Sequence, residues 1–261
     1  MTDWLRVCRA AKDDVAAVLV DLPSRLTREP VVGAGMGGDE TTAIDQAAER
    51  VVLAHFADLD TRIVSEEAGS SGDGRWRVVI DPIDGSLNAK RGIPFFSLSI
   101  AIADGDAMND VVFGYVYDFG SGEEWTATRG EGAFLGDRSL RGERPKDEIE
   151  ILSFESTRAS EVADKAAAFI GVAYRLRIMG SLALSLCHLA AGRVDGVCSL
   201  KPYRSVDVAA AQLLVREQSL AVANVDGGEP FGDAPLDLVS RSRIAAAGTD
   251  ELCALVANGL R

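Results

Sequence analysis

From residue 61 onward the hydrophobic pattern switches from a helical period to short β-rich runs. That switch restricts the fold more than any other feature of the chain. TRIVS, WRVVI, FFSLSIAIA, VVFGYVY and EWTAT succeed one another between residues 61 and 128, separated by turn residues. After the polar segment GDRSLRGERPKDE (136–148), strands and helices alternate: IEILSF, a helix over 157–169, YRLRI, the helix SLALSLCHLAAG, VDGVCSL, and a helix over 205–217. A last helix is expected over 250–258. Ahead of the switch, residues 3–20 place Trp4, Leu5, Cys8, Ala11, Val15, Val18 and Leu19 on one helical face, with Asp3 as N-cap. The Gly-rich segment GAGMGGDETT leads to a second helix that turns Ile44, Ala48, Val52 and Phe56 inward. Together these patterns predict a layered α/β (α+β) fold with a boundary near 145, dividing the chain into subdomains 1–145 and 146–261.

Charge narrows the partners. Forty acidic residues against 27 basic ones give a formal net charge of −13, a surface that repels nucleic-acid backbones and anionic membranes. The longest uncharged apolar stretch, 178–192, is shorter than the roughly 20 residues of a membrane span. The opening MTDWLRVCRAAKDD has no apolar core of the kind a signal peptide needs. Cys8, Cys187, Cys198 and Cys253 show no paired short spacing, so a reduced, cytoplasmic protein is expected.

Three motif matches carry little weight. GAGMGG fits G-x-G-x-x-G at Gly33, Gly35 and Gly38, but it follows a helix and REPVV rather than a buried strand. A flexible or substrate-covering loop is the expectation. DPIDGS spaces its aspartates by three with Pro between them, unlike an EF-hand. His55 and His188 lie in helical patterns without metal-ligand spacing.

The acids at element ends are different. Glu66 and Glu67 close TRIVSEE, and Asp81 and Asp84 close WRVVIDPID. Asp207 follows Ser205, the expected N-cap of the helix VDVAAAQLLV, and Asp45 projects from the second helix. Each has an ordinary reading as a turn former, a solvated strand end or a helix-start charge. Strand carboxyl ends and helix N-termini nevertheless collect along one rim of a layered α/β protein, where ligands bind. Carboxylates crowded there need a cation, and oxygen ligands without Cys or His select Mg²⁺ or Mn²⁺. The backbone N–H groups of Gly85 and Ser86 would face a phosphate beside such ions.

SEEAG, DPIDGSLN about 15 residues on, and VDVAAA far downstream resemble the signature segments of the inositol monophosphatase/fructose-1,6-bisphosphatase superfamily. DETTAIDQAAE and GSLALSLCHLAAGRVDG are similar to further segments of it, and GMGGDETTAID and RSVDVAAA lean toward its archaeal dual-activity branch. The resemblance implies an αβαβα sandwich of the sugar-phosphatase type and a homodimer. It implies a Mg²⁺-dependent phosphomonoesterase, with two or three ions per site, acting on fructose-1,6-bisphosphate, inositol-1-phosphate or both by direct attack of water. Carried over residue by residue, Glu66, Asp81 and the Ile83 carbonyl match first-metal ligands, and Asp81, Asp84 and Asp207 the second set. A further, weaker ion falls near Glu66. Asp45 and Ser86 match the water-orienting dyad, with Glu66 and Thr42 beside them, and Asp84, Gly85 and Ser86 face the phosphate. Ser86 stands where threonine is commonest, Val206 replaces a frequent Trp, and REQSL (216–220) replaces the usual Glu-Ala-Gly-Gly at a substrate-hydroxyl contact. A second phosphate needs cations; Arg177, Lys201 and Arg204 are the candidates. Two rivals keep the same acids: a phosphatase of phosphoadenosine nucleotides or NADP, and a degenerate metal- or phosphate-binding regulatory module.

Overall fold

The computed structural model describes residues 2–36, 40–156, 158–227 and 230–261. Helix α1 (Trp4–Asp21) starts where the Asp3 carboxylate accepts the Arg6 N–H, and α2 (Arg25–Arg28) follows. The Gly-rich segment is framed by an antiparallel pair, β1 (Val31–Ala34) and β2 (Glu40–Thr42), rather than being loop throughout; Gly38 falls outside the described residues. Helix α3 (Ala43–Ala54) begins at Thr42.

An eight-stranded sheet comes next. It comprises β3 (Thr61–Ser65), β4 (Gly69–Ser71), β5 (Trp76–Asp84), β6 (Ser97–Ala103), β7 (Val111–Asp118), β8 (Glu124–Thr128), β9 (Gly132–Leu135) and β10 (Arg138–Ser139). Its order is β10-β9-β8-β7-β6-β5-β3-β4, and only β3 and β5 run parallel. Helix α4 (Ser86–Arg91) leaves the end of β5. The second sheet holds β11 (Ile149–Glu155), β12 (Ala173–Arg177), β13 (Gly196–Ser199), β14 (Ala221–Asn224) and β15 (Ile244–Ala247), in the order β12-β11-β13-β15-β14. Its helices are α5 (Ala159–Ala166), α6 (Leu182–Ala190), α7 (Ser205–Glu217) and α8 (Asp250–Leu260). The sheets change over between Ser139 and Ile149, and we propose the subdomain boundary there.

Strand alternation builds the layers. Val78, Ile80, Leu98 and Ile100 face outward onto α1 and α3, packing with Cys8, Val15, Ile44 and Phe56. Val79, Ala101 and Val116 face inward, against Leu186 of α6 and Val208 and Leu214 of α7. The second sheet repeats the rule: Val197 and Ala246 join the inner cluster, whereas Cys198 and Ala245 meet Val256 and Leu260 of α8 outside. The result is an αβαβα sandwich with α6 and α7 as its middle layer. Alanines and Gly114 bring α7 close to the first sheet, since a Cβ on Gly114 would lie 2.5 Å from the Ala210 carbonyl oxygen. All four cysteines are buried free thiols. Among the described residues no helix is long and apolar enough to cross a membrane.

Candidate active site

Parallel pairing of β3 with β5, in register at Ser65 and Ile80, sets Glu66 beside Asp81. The β5–β6 ladder slips between Asp81 and Asp84, a bulge of the kind that re-aims side chains at functional sites. The first turn of α7 adds Asp207. One carboxylate oxygen each from Asp81, Asp84 and Asp207 lies within 4.8 Å of the others. Asp84 Oδ2 accepts the Ala183 N–H at 2.8 Å and the Ser181 hydroxyl, so the start of α6 fixes one of its oxygens. Asp81 Oδ1 accepts the Ile83 N–H at 3.0 Å, and the Ile83 carbonyl accepts the Ser86 hydroxyl at 2.9 Å.

The expected cap of α7 needs correction. Ser205 is the first helical residue and gives its hydroxyl to the Asp237 carbonyl; Arg204 is the cap, its N–H held by Asp207 Oδ2 at 2.6 Å. Arg204 is also not at the outer mouth. Its Nη2 stands 2.5 Å from Glu66 Oε1 and 3.2 Å from Asp207 Oδ1, inside the acidic cluster.

Crowding shows in the titration of these acids. Burial above all pushes Glu66 up to about 7, with Asp207 and Glu67 adding repulsion that Arg204 offsets in part. Burial and Asp207 push Asp84 up to about 7, and Asp81 is raised well above its ordinary range by burial and by Glu66, Asp84 and Asp207. Buried, mutually repelling oxygen ligands with no thiol or imidazole among them fit a hard divalent cation.

These residues line a cavity of about 230 Å³, which also takes in Asp45, Gly85, Ser86, Lys90, Glu155, Lys201 and Tyr203. Asp45 is 4% exposed. Its Oδ2 accepts the Thr42 N–H at 3.1 Å and the Thr42 hydroxyl at 2.5 Å, while Oδ1 has no hydrogen-bond partner. Thr42 therefore stands behind Asp45. Lys201 is exposed at the rim. Arg177 is exposed at the end of the edge strand β12, its Nη1 turned to the Leu176 carbonyl, and it does not line the cavity. The REQSL segment is likewise remote: Glu217 accepts the Gly130 and Gly132 N–H groups across the β8–β9 turn.

Residues 6–260 match the inositol monophosphatase family. The chain belongs to that family. It is 33% identical over 251 residues to the fructose-1,6-bisphosphatase/inositol-1-monophosphatase of Archaeoglobus fulgidus, covering 94% of this chain and 93% of that one. It is 34% identical over 228 residues to the Nus factor SuhB of Pasteurella multocida, covering 80% and 78%. The crystal structure of an inositol monophosphatase-fructose 1,6 bisphosphatase superposes with a TM-score of 0.86 at 27% identity, covering 99% of this chain and 100% of that one.

This inositol monophosphatase family member has cavity residues that strand and helix patterns alone do not single out. Glu155 ends β11 as Glu66 ends β3's run, a signal available in IEILSFES. Its carboxylate accepts Gly180 N–H at 2.8 Å and the hydroxyls of Ser153 and Ser185, fixing the turn that carries Ser181. Lys90 lies four residues after Ser86 on α4, a spacing that puts both on one face.

Proposed function

We propose that this chain is a Mg²⁺-dependent phosphatase of small sugar or inositol phosphate monoesters. The observation that carries the reading is the convergence of Asp81 and Asp84 of β5 with Asp207 of α7, in a cavity that Asp45 also lines. The names of the Archaeoglobus relative and of other relatives support the ester class. Glu66, Asp81, Asp84, Asp207 and the Ile83 carbonyl would hold Mg²⁺ or Mn²⁺, which when bound supplies charge neutralisation and Lewis acidity at the phosphate.

The chain's own groups do the rest. Gly85 and Ser86 border the cavity where the phosphate would seat. The Asp45 carboxylate takes a proton from the attacking water, with Ser86, which lines the same cavity, as the companion hydroxyl. Lys201 at the rim is the remaining candidate for a second phosphate. A homodimer belongs to the same reading.

Phosphate release from fructose-1,6-bisphosphate, inositol-1-phosphate, a 3′-phosphoadenosine nucleotide and NADP tests it, with Mg²⁺ and with EDTA. Turnover of one or both sugar esters, abolished by EDTA, is expected. Full activity in EDTA, or activity confined to the nucleotides, overturns it.

A further inference from the structure

Two hydrogen bonds and an ion pair converge on one oxygen of Asp45. Besides the two from Thr42, Lys90 Nζ lies 3.4 Å from Oδ2, with the lysine side chain 17% exposed. The other oxygen, Oδ1, is buried with no partner although an ionised carboxylate can accept at both. Such a lopsided arrangement clamps one oxygen and leaves the second buried without a partner at the edge of the cavity that Asp45 lines. The two kinds of clamp differ in what they fix. Thr42 is the cap of α3, so its donors orient Asp45 only within its own helix. Lys90 comes from α4, the helix that starts at Ser86, and it ties Asp45 to the element bordering the phosphate seat.

We propose that Lys90 is a positioning residue that sets the Asp45 carboxylate at a fixed distance from the phosphorus under attack, an inference resting on the phosphatase reading above. In that step the water oxygen bonds to phosphorus and the ester P–O bond breaks. One water proton passes to the Asp45 carboxylate and, in net terms, ends on the departing alcohol, leaving hydrogen phosphate. Lys90 neither gives nor takes a proton; it holds the acceptor still. A lysine suits this because its stem carries a full positive charge from α4 to within reach of Asp45.

The test compares Lys90→Met, Lys90→Arg, Asp45→Asn and the Lys90→Met/Asp45→Asn pair in the full chain. Steady-state kinetics use Mg²⁺ and the sugar ester that the wild type hydrolyses, with calorimetric Mg²⁺ binding alongside. Misplacing a proton acceptor by about 1 Å costs roughly 10- to 100-fold, so Lys90→Met should lower kcat by that factor. KM and Mg²⁺ affinity should stay within about twofold, which loss of positioning without loss of binding requires. Lys90→Arg should recover most of kcat, and Lys90→Met should cost nothing further in the Asp45→Asn background. Should the Met variant unfold early, Lys90→Gln carries the same readouts. An unchanged kcat, a rise in KM alone, or losses that multiply in the pair overturns the assignment while the phosphatase reading stands. A wild type that releases phosphate from none of the esters in Mg²⁺ removes both.

Discussion

Alanine at Gly114 probes whether the contact between α7 and the first sheet sets the position of Asp207. The new Cβ would lie 2.5 Å from the Ala210 carbonyl oxygen, 3.2 Å from its carbon and 3.3 Å from its Cα, all backbone atoms that cannot rotate away. Carbon–oxygen contacts settle at about 3.3 Å, so helix and strand must separate by roughly 0.8 Å. Overpacking of this kind costs about 1–3 kcal/mol. For 261 residues, at about 2.1 cal/mol/K per residue, each kcal/mol is worth about 2 °C, which predicts a Tm lower by roughly 2–6 °C. Asp207 is three residues before Ala210 on the same helix and retreats with it. Mg²⁺ tolerates little departure from octahedral distances near 2.1 Å, so its affinity should fall about tenfold. Differential scanning calorimetry with and without Mg²⁺, and Mg²⁺ titration calorimetry, read both effects. A Tm within about 1 °C of wild type together with unchanged Mg²⁺ affinity would refute the argument that this contact places the ligand.

Two further outcomes follow from the acidic cluster. Glu66 and Asp84 sit near 7 in the folded chain, above the ordinary values of about 4 for free carboxyls, so the folded state binds more protons than the unfolded one in between. Their contribution to stability is full below that window and drains away as pH rises through about 7. In EDTA the Tm should therefore fall between pH 5 and pH 8, and saturating Mg²⁺ should flatten the decline; a Tm rising with pH in EDTA contradicts the burial argument. Asp84→Asn keeps an oxygen for Ser181 and Ala183 but removes the charge. It should leave the EDTA-state Tm at pH 8 unchanged or higher while lowering Mg²⁺-dependent turnover at least ~100-fold.

Periodicity made the layers legible. The stripes of α1 and α3 and the alternation through VVI and LSIAIA follow directly from which faces must be buried. The acids at strand ends were legible for the same reason, because a carboxylate closing a buried strand has few places to go. What was not legible depends on distances between segments remote in sequence. Arg204 reads as a surface cation beside Lys201, yet the backbone cap at Asp207 turns its guanidinium inward to Glu66. Arg177 reads as a neighbour of the Gly-Ser helix, but the edge position of β12 leaves it in solvent. Lys90 has no sequence mark beyond its spacing from Ser86; only the approach of its ammonium to Asp45 in the folded chain gives it a partner.

The middle layer has a consequence for how the chain emerges from the ribosome. The helices that cover Val79, Val116 and Trp125 are encoded well after the strands that need them, ending at Ala190 and Glu217. At ~5–20 residues per second, the nascent first sheet waits roughly 4 to 16 s after β10 before its inner face is capped. During that interval an apolar face that includes Trp125 is open to chaperones and to neighbouring copies, so yield in the cell should respond to translation speed between residues 140 and 217.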